Sequence, residues 1–237
     1  MDGNRRWAKG KGLPTLQGHR AGGEKLKEVA KWAKDVGIQH LIVFAFSTEN
    51  WSRTPEEVSY MLKLLGEFLQ KELEHFNKDG GVLHCVGDLS RFPADLQKTL
   101  AEACEKTHSN PGPHIYFALN YGGRQEILSA VKKIVKEMQA KPSDRKAVQD
   151  GRPTSQEAEF GENITEEYFA KHLQTYPMPD PDLIIRTSGE MRLSGFLPWQ
   201  SVYSELFFTK TFWPDFSKEE FLKILDEYGE RERRLGK

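Results

Sequence analysis

Short apolar runs alternate with amphipathic segments along most of this chain, and this alternation limits the folds that it can adopt. Leu41–Phe46 is an apolar run of strand length, and the segment after it carries apolar residues at helical spacing from Val58 to Phe76. A strand, a helix and a further strand in succession are typical of a parallel sheet with helices on its faces. We therefore predict an α/β fold. Further strands are predicted at Val82–Val86, Ile115–Leu119, Leu183–Ile185 and Leu206–Phe208.

Helix boundaries are also marked in the sequence. Thr54-Pro55-Glu56-Glu57 is a capping box with proline at the first helical position, which predicts that a helix begins at Pro55. Ser217, with Glu220 three residues later, marks the start of a helix that we predict to reach Arg234. Two more helices are predicted, one with apolar residues from Leu26 to Ala33 and one over Gln125–Met138.

The composition excludes several classes of protein. The 237 residues fit a single domain over residues 1–237, and 34 basic against 35 acidic residues leave a net charge of −1. This balance argues against nucleic-acid binding and against a polybasic membrane anchor. The longest apolar run is far shorter than the roughly 18 residues of a membrane span, and nothing at the N-terminus resembles a secretory signal. We expect a cytoplasmic protein with no more than peripheral membrane contact.

Several familiar site types are also missing from the sequence. Only two cysteines occur, without CxxC spacing, so we expect neither a disulfide scaffold nor a cysteine zinc site. The seven histidines lack HExxH spacing, and no GxxxxGK[ST], GxGxxG or GxSxG motif is present. Residues 141–163 are polar and hold two prolines, which predicts a surface connection; a domain linker is the competing interpretation.

Three polar clusters could carry chemistry, and the first lies at the N-terminus. Guanidinium groups match phosphate oxygens in pairs, and a carboxylate among them is costly for anion binding unless it holds a divalent metal ion. A glycine lets the backbone approach a ligand closely. Taken alone, the segment is better explained as a basic N-terminal tail. The cluster spans Met1–Lys9, and its candidate site residues are Asp2, Gly3, Asn4, Arg5, Arg6 and Trp7.

The second cluster follows the apolar run at Leu41–Phe46. Ser47, Asn50, Trp51 and Arg53 come where a strand is predicted to end, and ligands of parallel α/β sheets bind at the carboxyl ends of strands. These side chains are therefore candidates for substrate binding. A strand-to-helix loop held by local turn hydrogen bonds explains the same residues about as well.

The third cluster follows the predicted strand at Leu183–Ile185. Arg186, Arg192 and Ser194 could converge on an anion, helped by backbone amides near Gly189. Arginines in such a loop can also be simply solvated. Two arginines with a hydroxyl nevertheless favour an anion pocket over solvated charges.

Two further residues are candidates on their own. Glu205 precedes the apolar run Leu206–Phe208, so its carboxylate must meet an arginine, a metal ion or water. Of the histidines, His19 is the candidate for chemistry, because it lies in the glycine-flanked segment Gly18–Gly22. It is equally consistent with this position that His19 lies near the start of a helix and has no chemical role.

Together these segments resemble the cis-prenyltransferase family of the undecaprenyl diphosphate synthase type, over nearly the whole chain. The resemblance implies a mostly parallel six-stranded sheet flanked by helices, and a homodimer. It implies repeated condensation of isopentenyl diphosphate onto an allylic diphosphate such as farnesyl diphosphate, with Mg²⁺, to give a cis-polyprenyl diphosphate such as undecaprenyl diphosphate. The matching segments are Met1–Ala8, Gly18–Gly22, Phe46–Arg53, Asn120–Arg124, Arg186–Glu190, Glu205–Phe208, Trp213–Phe216 and Arg233–Gly236.

The resemblance also implies a role for each cluster. Asp2 is implied as the central Mg²⁺ ligand and Glu205 as the second. His19, Ser47 and Asn50 are implied near the reacting carbons or the leaving group, and form the catalytic set with Asp2. Arg234 is implied to reach across the dimer to a diphosphate. The allylic diphosphate is assigned to Gly3, Asn4, Arg5 and Arg6, and isopentenyl diphosphate to Arg53, Arg186, Arg192 and Ser194, with Trp7 and Trp51 completing the substrate-binding set.

The chain departs from the family pattern in three places. The family has a short apolar strand directly before the Met1–Asn4 motif, and this sequence begins at the motif, so the first of the six strands is expected to be missing. Met191 stands where many members have a histidine near Mg²⁺. Thr15 stands where an arginine often contacts the allylic diphosphate.

Two other functions remain open. A non-catalytic subunit of a heteromeric cis-prenyltransferase would share the fold, but such subunits usually lack the acidic and arginine residues that this chain retains. A phosphate-ester hydrolase would need a nucleophile, and the sequence offers no candidate. The apolar stripe from Val58 to Phe76 could line a tunnel for a growing prenyl chain or simply pack in the core.

Overall fold

The computed structural model of the chain describes residues 1–140 and 164–231. The predicted surface connection over 141–163 and the predicted diphosphate ligand Arg234 lie outside these residues. The helices are α1 (Asn4–Gly10), α2 (Thr15–Asp35), α3 (Pro55–Lys78), α4 (Ala94–Thr107), α5 (Gly123–Ala140), α6 (Glu166–Ala170) and α7 (Lys218–Gly229). The strands are β1 (His40–Ser47), β2 (Val82–Val86), β3 (His114–Tyr121), β4 (Leu183–Arg186) and β5 (Glu205–Phe208).

The predicted helix starts are confirmed. The Thr54 hydroxyl accepts the backbone N–H of Glu57 at 3.3 Å, with Pro55 at the first helical position of α3. The Ser217 hydroxyl accepts the N–H of Glu220 at 3.1 Å and caps α7 in the same way. Helix α7 ends at Gly229, earlier than predicted.

The strands form two parallel sheets. In the larger sheet β3 lies between β1 and β2, and every residue of β3 after His114 is buried. In the smaller sheet β4 pairs with β5, so that Arg186 lies opposite Phe208. The α/β class and the parallel pairing are confirmed. The single six-stranded sheet is not, because the described residues form five strands and β1 and β4 are each an edge of their own sheet.

A cavity of about 1330 Å³ lies between the two sheets. Every residue from His40 to Ala45 in β1, and every residue from Leu183 to Arg186 in β4, lines it. Because side chains alternate between the two faces of a strand, a strand can line a cavity with consecutive residues only through its edge. The open edges of β1 and β4 therefore face each other. The described helices before β1 are α1 and α2, and the described residues form no strand before β1.

Two apolar clusters cover the faces of the larger sheet. Helices α2, α3, α4 and α7 pack on one face, where Leu62, Leu100 and Phe117 are buried together. On the opposite face Tyr121 packs with Leu197. In the part of the chain that the structure describes, no helix has both the length and the apolar character needed to span a membrane.

A buried carboxylate holds the segments around Thr175 and Gln200 against α5. Glu126, in the first turn of α5, is 1% exposed and accepts the Tyr121 hydroxyl at 2.6 Å. It also accepts the Thr175 amide at 2.9 Å, the Thr175 hydroxyl at 2.8 Å and Gln200 Nε2 at 3.2 Å. These donors offset the loss of hydration, and the helix N-terminus favours the negative charge. The network thereby fixes the loops on either side of β4.

Candidate active site

The N-terminal segment is docked beside the end of β4. The carbonyl of Asp2 accepts the backbone N–H of Trp213 at 3.0 Å and the Thr187 hydroxyl at 3.0 Å. Gly3 has a φ of +98°, and a Cβ at this position would lie 2.6 Å from Phe212 Cδ1. Both the backbone angle and the close approach require glycine. This turn brings the Asp2 side chain to the carboxyl end of β4.

The Asp2 carboxylate lies between two arginines. Its Oδ2 accepts Arg186 Nη2 at 2.9 Å, its Oδ1 accepts the Gly3 amide at 2.7 Å, and Arg6 Nη2 lies 3.7 Å from Oδ1. Burial alone raises the pKa of Asp2, but the hydrogen bond and charge of Arg186 outweigh burial and hold this pKa below its usual range. Asp2 is therefore ionised at neutral pH and is paired with Arg186.

Arginines of the first and third clusters meet around Glu190. Arg6 Nη1 donates to Glu190 Oε1 at 3.1 Å, and Arg192 Nη1 lies 2.5 Å from Glu190 Oε2. Arg186 donates to the Ser194 hydroxyl at 2.9 Å and to the carbonyl of Arg192. The predicted cluster thus forms, and its three guanidinium groups outnumber the carboxylates of Asp2 and Glu190.

Glu57 gathers a second cationic group. His19 Nε2 donates to Glu57 Oε1 at 3.0 Å, Arg53 Nη1 donates to the same oxygen at 2.8 Å, and Arg5 Nε lies 3.6 Å from it. Because a carboxylate only accepts, His19 Nε2 carries the hydrogen. Burial lowers the pKa of His19, and the charge of Arg53 lowers it further against the opposing hydrogen bond from Glu57. His19 is therefore neutral at pH 7, with Nδ1 as its basic atom.

Glu57 itself is a site residue that sequence reasoning missed. The sequence marks Glu57 only as part of a capping box, yet the residue is 8% exposed and its side chain links three predicted site residues. Burial raises the pKa of Glu57, but the His19 hydrogen bond and the charges of Arg53 and Arg5 hold the pKa below its usual range. The spacing of four residues between Arg53 and Glu57, typical of opposite charges that pair, was the available signal.

Some polar groups of the second cluster form hydrogen bonds within the turn that contains them. The Ser47 backbone N–H donates to Asn50 Oδ1 at 2.9 Å, as the local-turn interpretation predicts, while both residues also line the cavity. Trp51 packs edge-on against Phe46 and is not among the described residues that line the cavity. Its Nε1 donates to Asn120 Oδ1 at 2.7 Å. Asn120, which has a φ of +45°, was not predicted as a site residue although its segment matches the family.

Two residues of the first cluster bury polar atoms without partners. Asn4 Oδ1 and Trp7 Nε1 are both buried, and neither has a hydrogen-bond partner among the described residues. Asn4 lines the cavity, whereas Trp7 packs under the ammonium group of Lys11 at 4.5 Å. Asn4 is therefore positioned beside the cavity, whereas Trp7 is not among the described residues that line it.

Glu205 is not brought to Asp2 in this chain. It starts β5, three register positions before the residue opposite Arg186. At about 3.3 Å per residue, this places Glu205 about 10 Å along the strand from the end that contacts Asp2. Its carboxylate pairs with Arg231 instead. The described residues also contain no group of three or more His, Cys, Asp or Glu side chains that could hold a metal ion.

The cavity joins the polar groups to an apolar interior. Asp2, His19 and Arg53 line its polar end. On α3, Met61 and Leu65 line the cavity, while Leu62 and Leu69 of the same stripe are buried in the core. The apolar walls comprise Leu26, Val29, Met61, Leu64, Leu65, Phe68, Phe117, Phe221 and Leu225.

A parallel α/β fold with arginines at the carboxyl ends of its strands, and an apolar cavity behind them, defines a protein that binds an anionic head and an apolar tail. Comparison with known proteins then gives the family. A family model described as "Putative undecaprenyl diphosphate synthase" matches residues 1–236, and the chain belongs to this family of prenyl-transferring enzymes.

Individual relatives agree with this assignment. Isoprenyl transferases of Clostridium perfringens and Thermotoga maritima are 42% and 43% identical to this chain over 236 residues, covering 100% of it and 87% and 94% of the relatives. The crystal structure of lavandulyl diphosphate synthase from Lavandula x intermedia, in complex with dimethylallyl diphosphate, has a TM-score of 0.88 and 31% identity. The match covers 100% of this chain and 95% of the lavandulyl diphosphate synthase chain. The predicted family is confirmed.

Proposed function

We propose that this prenyl transferase condenses isopentenyl diphosphate onto an allylic diphosphate such as farnesyl diphosphate, and repeats the step to give a cis-polyprenyl diphosphate. The observation that carries the proposal is the pair of arginine groups at the polar end of a long apolar cavity. Diphosphate heads match the guanidinium groups, and a growing prenyl chain matches the apolar walls. Undecaprenyl diphosphate or a related carrier-lipid precursor is the product we propose.

Each diphosphate is assigned arginines from both cationic groups, because Arg6 lies with Arg186 and Arg192, whereas Arg5 lies with Arg53. Gly3, Asn4, Arg5 and Arg6 hold the allylic diphosphate, whose oxygens accept hydrogen bonds from amide and guanidinium donors. Arg186, Arg192 and Ser194 hold isopentenyl diphosphate together with Arg53. Fixing the two substrates in contact supplies the entropic part of the rate enhancement. The arginines stabilise the charge that grows on the departing diphosphate.

In the condensation, a bond forms between the isopentenyl double bond and allylic C1 while the allylic carbon–oxygen bond breaks. A proton then leaves C2 of the isopentenyl unit. Neutral His19 lines the cavity with a basic Nδ1, and Ser47 and Asn50 lie on the same lining. We assign these three residues to the surroundings of the reacting carbons and the leaving group, without assigning the final proton acceptor.

The residues present fit a Mg²⁺–diphosphate complex better than a free metal ion. Asp2 is an ionised carboxylate at the polar end of the cavity, and Mg²⁺ commonly binds through one or two carboxylates with phosphate oxygens and water completing its shell. When bound there, Mg²⁺ would supply neutralisation of diphosphate charge. The assignment of Glu205 as a second ligand stays a prediction, because within this chain its carboxylate pairs with Arg231.

A homodimer is part of the proposal. Helix α5 carries an exposed apolar stripe at helical spacing, formed by Leu128, Val131 and Val135. Val202 and Tyr203 are also exposed. They follow Gln200, whose side chain donates a hydrogen bond to Glu126 of α5. A second copy would cover such apolar surface. Sedimentation should give twice the chain mass, and a Val131→Glu variant should shift it toward the monomer. The assignment of Arg234 to the partner's diphosphate stays a prediction.

One incubation tests the central proposal. When the protein is incubated with radiolabelled isopentenyl diphosphate, farnesyl diphosphate and Mg²⁺, label should appear in a product that extracts into organic solvent. A cooperative thermal melt of the same preparation shows that the protein is folded. Arg186→Gln should remove this product, whereas Lys63→Gln, an exposed change on α3, should not. Label that stays in water together with released phosphate would instead favour the hydrolase. A folded protein with neither activity would favour the non-catalytic subunit.

A further inference from the structure

The two cysteines of the chain meet in the fold although they are distant in sequence. Cys85 lies in β2 and Cys104 in α4, and their Sγ atoms are 3.6 Å apart. They are the two cysteines of the whole sequence, so any thiol chemistry of this protein belongs to them. Two sulfur atoms at this distance need to approach by about 1.6 Å to reach the 2.05 Å of a disulfide bond.

This thiol pair is reachable from solvent. Both cysteines are partly exposed, and both line a cavity of about 250 Å³ beside Tyr116 and Tyr176. This cavity is separate in its lining from the large cavity between the sheets, because the two share no residue. A small disulfide molecule can therefore approach the sulfur atoms without entering the proposed active site.

The two thiols differ in acidity. The hydrogen bond between them lowers the pKa of Cys104, and the Cys85 backbone N–H lowers it further, against the raising effect of burial. The same thiol contact and burial raise the pKa of Cys85. The thiolate is the nucleophile in exchange with a disulfide, and because the two Sγ atoms lie 3.6 Å apart, the cysteine that attacks first leaves the other beside it as the resolving thiol.

We propose that Cys85 and Cys104 form a dithiol modification site that reacts with a small disulfide, such as oxidised glutathione, and closes to an intramolecular disulfide between β2 and α4. One cysteine thiolate attacks one sulfur of the small disulfide and releases the first small thiol. The other cysteine, after losing its proton to solvent, attacks the protein sulfur of the mixed disulfide and releases the second. The two protein thiols are oxidised and the small disulfide is reduced to two thiols.

The closed disulfide would restrain a loop that touches a predicted site residue. Residues 85–104 include Asp88, whose carbonyl accepts Asn120 Nδ2 at 2.6 Å, and Arg91, whose guanidinium lies 4.1 Å from the centre of the Trp51 ring. Asn120 in turn holds the Trp51 indole. The inference concerns thiol chemistry alone and stands independently of the proposed condensation.

The test is incubation of the full folded chain with oxidised glutathione in oxygen-free buffer. We expect both thiols to be lost, the chain mass to fall by two hydrogen atoms with no glutathione retained, and the melting temperature to rise by about 5 °C. Dithiothreitol should reverse all three. The Cys85→Ser variant should stop at one bound glutathione, because it lacks the resolving thiol.

The second single variant completes the test. Cys104→Ser, which keeps only Cys85, should likewise form no intramolecular disulfide and show no rise in melting temperature. A rise in melting temperature in either single variant would show that the stabilisation does not come from a bond between the two cysteines. A wild-type chain that keeps glutathione on one cysteine, that keeps both thiols free, or that forms disulfide-linked pairs of chains would overturn the intramolecular disulfide.

Discussion

At the scale of single residues, Asp2 shows how little carboxylate this site contains. Two arginine side chains, the Ser188 side chain and one backbone amide surround it, and no second carboxylate among the described residues contacts it. A bound diphosphate would compete for the same arginines. The charge of Asp2 is therefore free to meet a metal ion only when Arg186 turns toward a phosphate.

We predict that Asp2→Asn lowers kcat about 100-fold or more while the chain stays folded, because the variant keeps the size of the side chain and loses its charge. Steady-state kinetics with isopentenyl and farnesyl diphosphates measure the effect. Asp35→Asn, at the exposed end of α2, serves as the control and should leave kcat unchanged. An Asp2→Asn enzyme with more than half of normal activity would contradict the metal assignment.

Glu57 provides the second prediction at this scale. Glu57→Gln removes the charge that His19, Arg53 and Arg5 share, so the two arginines should lose their common anchor and kcat/KM should fall about 10- to 100-fold. Glu56→Gln changes the exposed neighbour in the same helical turn and should have no such effect. If both variants lost activity equally, the cause would lie in the start of α3 rather than in the cationic group.

At the scale of elements, three parallel strands carry histidines near their beginnings. The His40 and His114 rings stack at 5.0 Å, the His84 and His114 rings stack at 5.1 Å, and His84 Nε2 lies 2.8 Å from His114 Nδ1. Burial lowers the pKa of His40 and His84, and the neighbouring His114 lowers both further. The aligned start of the strands therefore favours the neutral forms of His40 and His84.

These strands should lose stability in mild acid. The unfolded chain binds protons at a pKa of about 6.5, above the lowered pKa values in the fold, so the free energy of unfolding decreases as pH falls through this range. We predict that the melting temperature drops between pH 8 and pH 5, and that His84→Gln makes the drop smaller. His75→Gln, on the exposed end of α3, should leave the drop unchanged; an equal drop in both variants would count against the stacked rings.

At the scale of the whole molecule, the apolar cavity should limit the length of the product. Leu65→Trp places a larger side chain on the wall that α3 contributes, so we predict shorter prenyl products with little change in the first condensation. Lys63→Trp adds the same ring to the outer side of α3 and should leave product length unchanged. Chromatography of the radiolabelled products measures both; unchanged lengths with Leu65→Trp would show that the chain grows elsewhere.

Sequence patterns predicted the local features of this molecule and missed those that depend on distant contacts. Each feature that was predicted correctly depends on residues that are close in sequence, and the structure contains it. These features are the strands, the Thr54 and Ser217 caps and the arginine clusters. The hydrogen bond between His19 and Glu57 spans 38 positions, and a pattern within a helix turn cannot reveal it. The division into two sheets likewise depends on which strand edges meet.

The two facing strand edges make protection against hydrogen exchange uneven across the molecule. Amides of β3 are bonded on both sides, whereas alternate amides of β1 and β4 point into the cavity and should exchange without unfolding. The two-stranded pair of β4 and β5 has few bonds to break, so it should open before β3 does. Arg186 is the last residue of β4, so the guanidinium group that contacts Asp2 belongs to the two-stranded sheet that we expect to open first. Ligands that bind both residues should therefore slow exchange in β4 and β5 more than anywhere else in the fold.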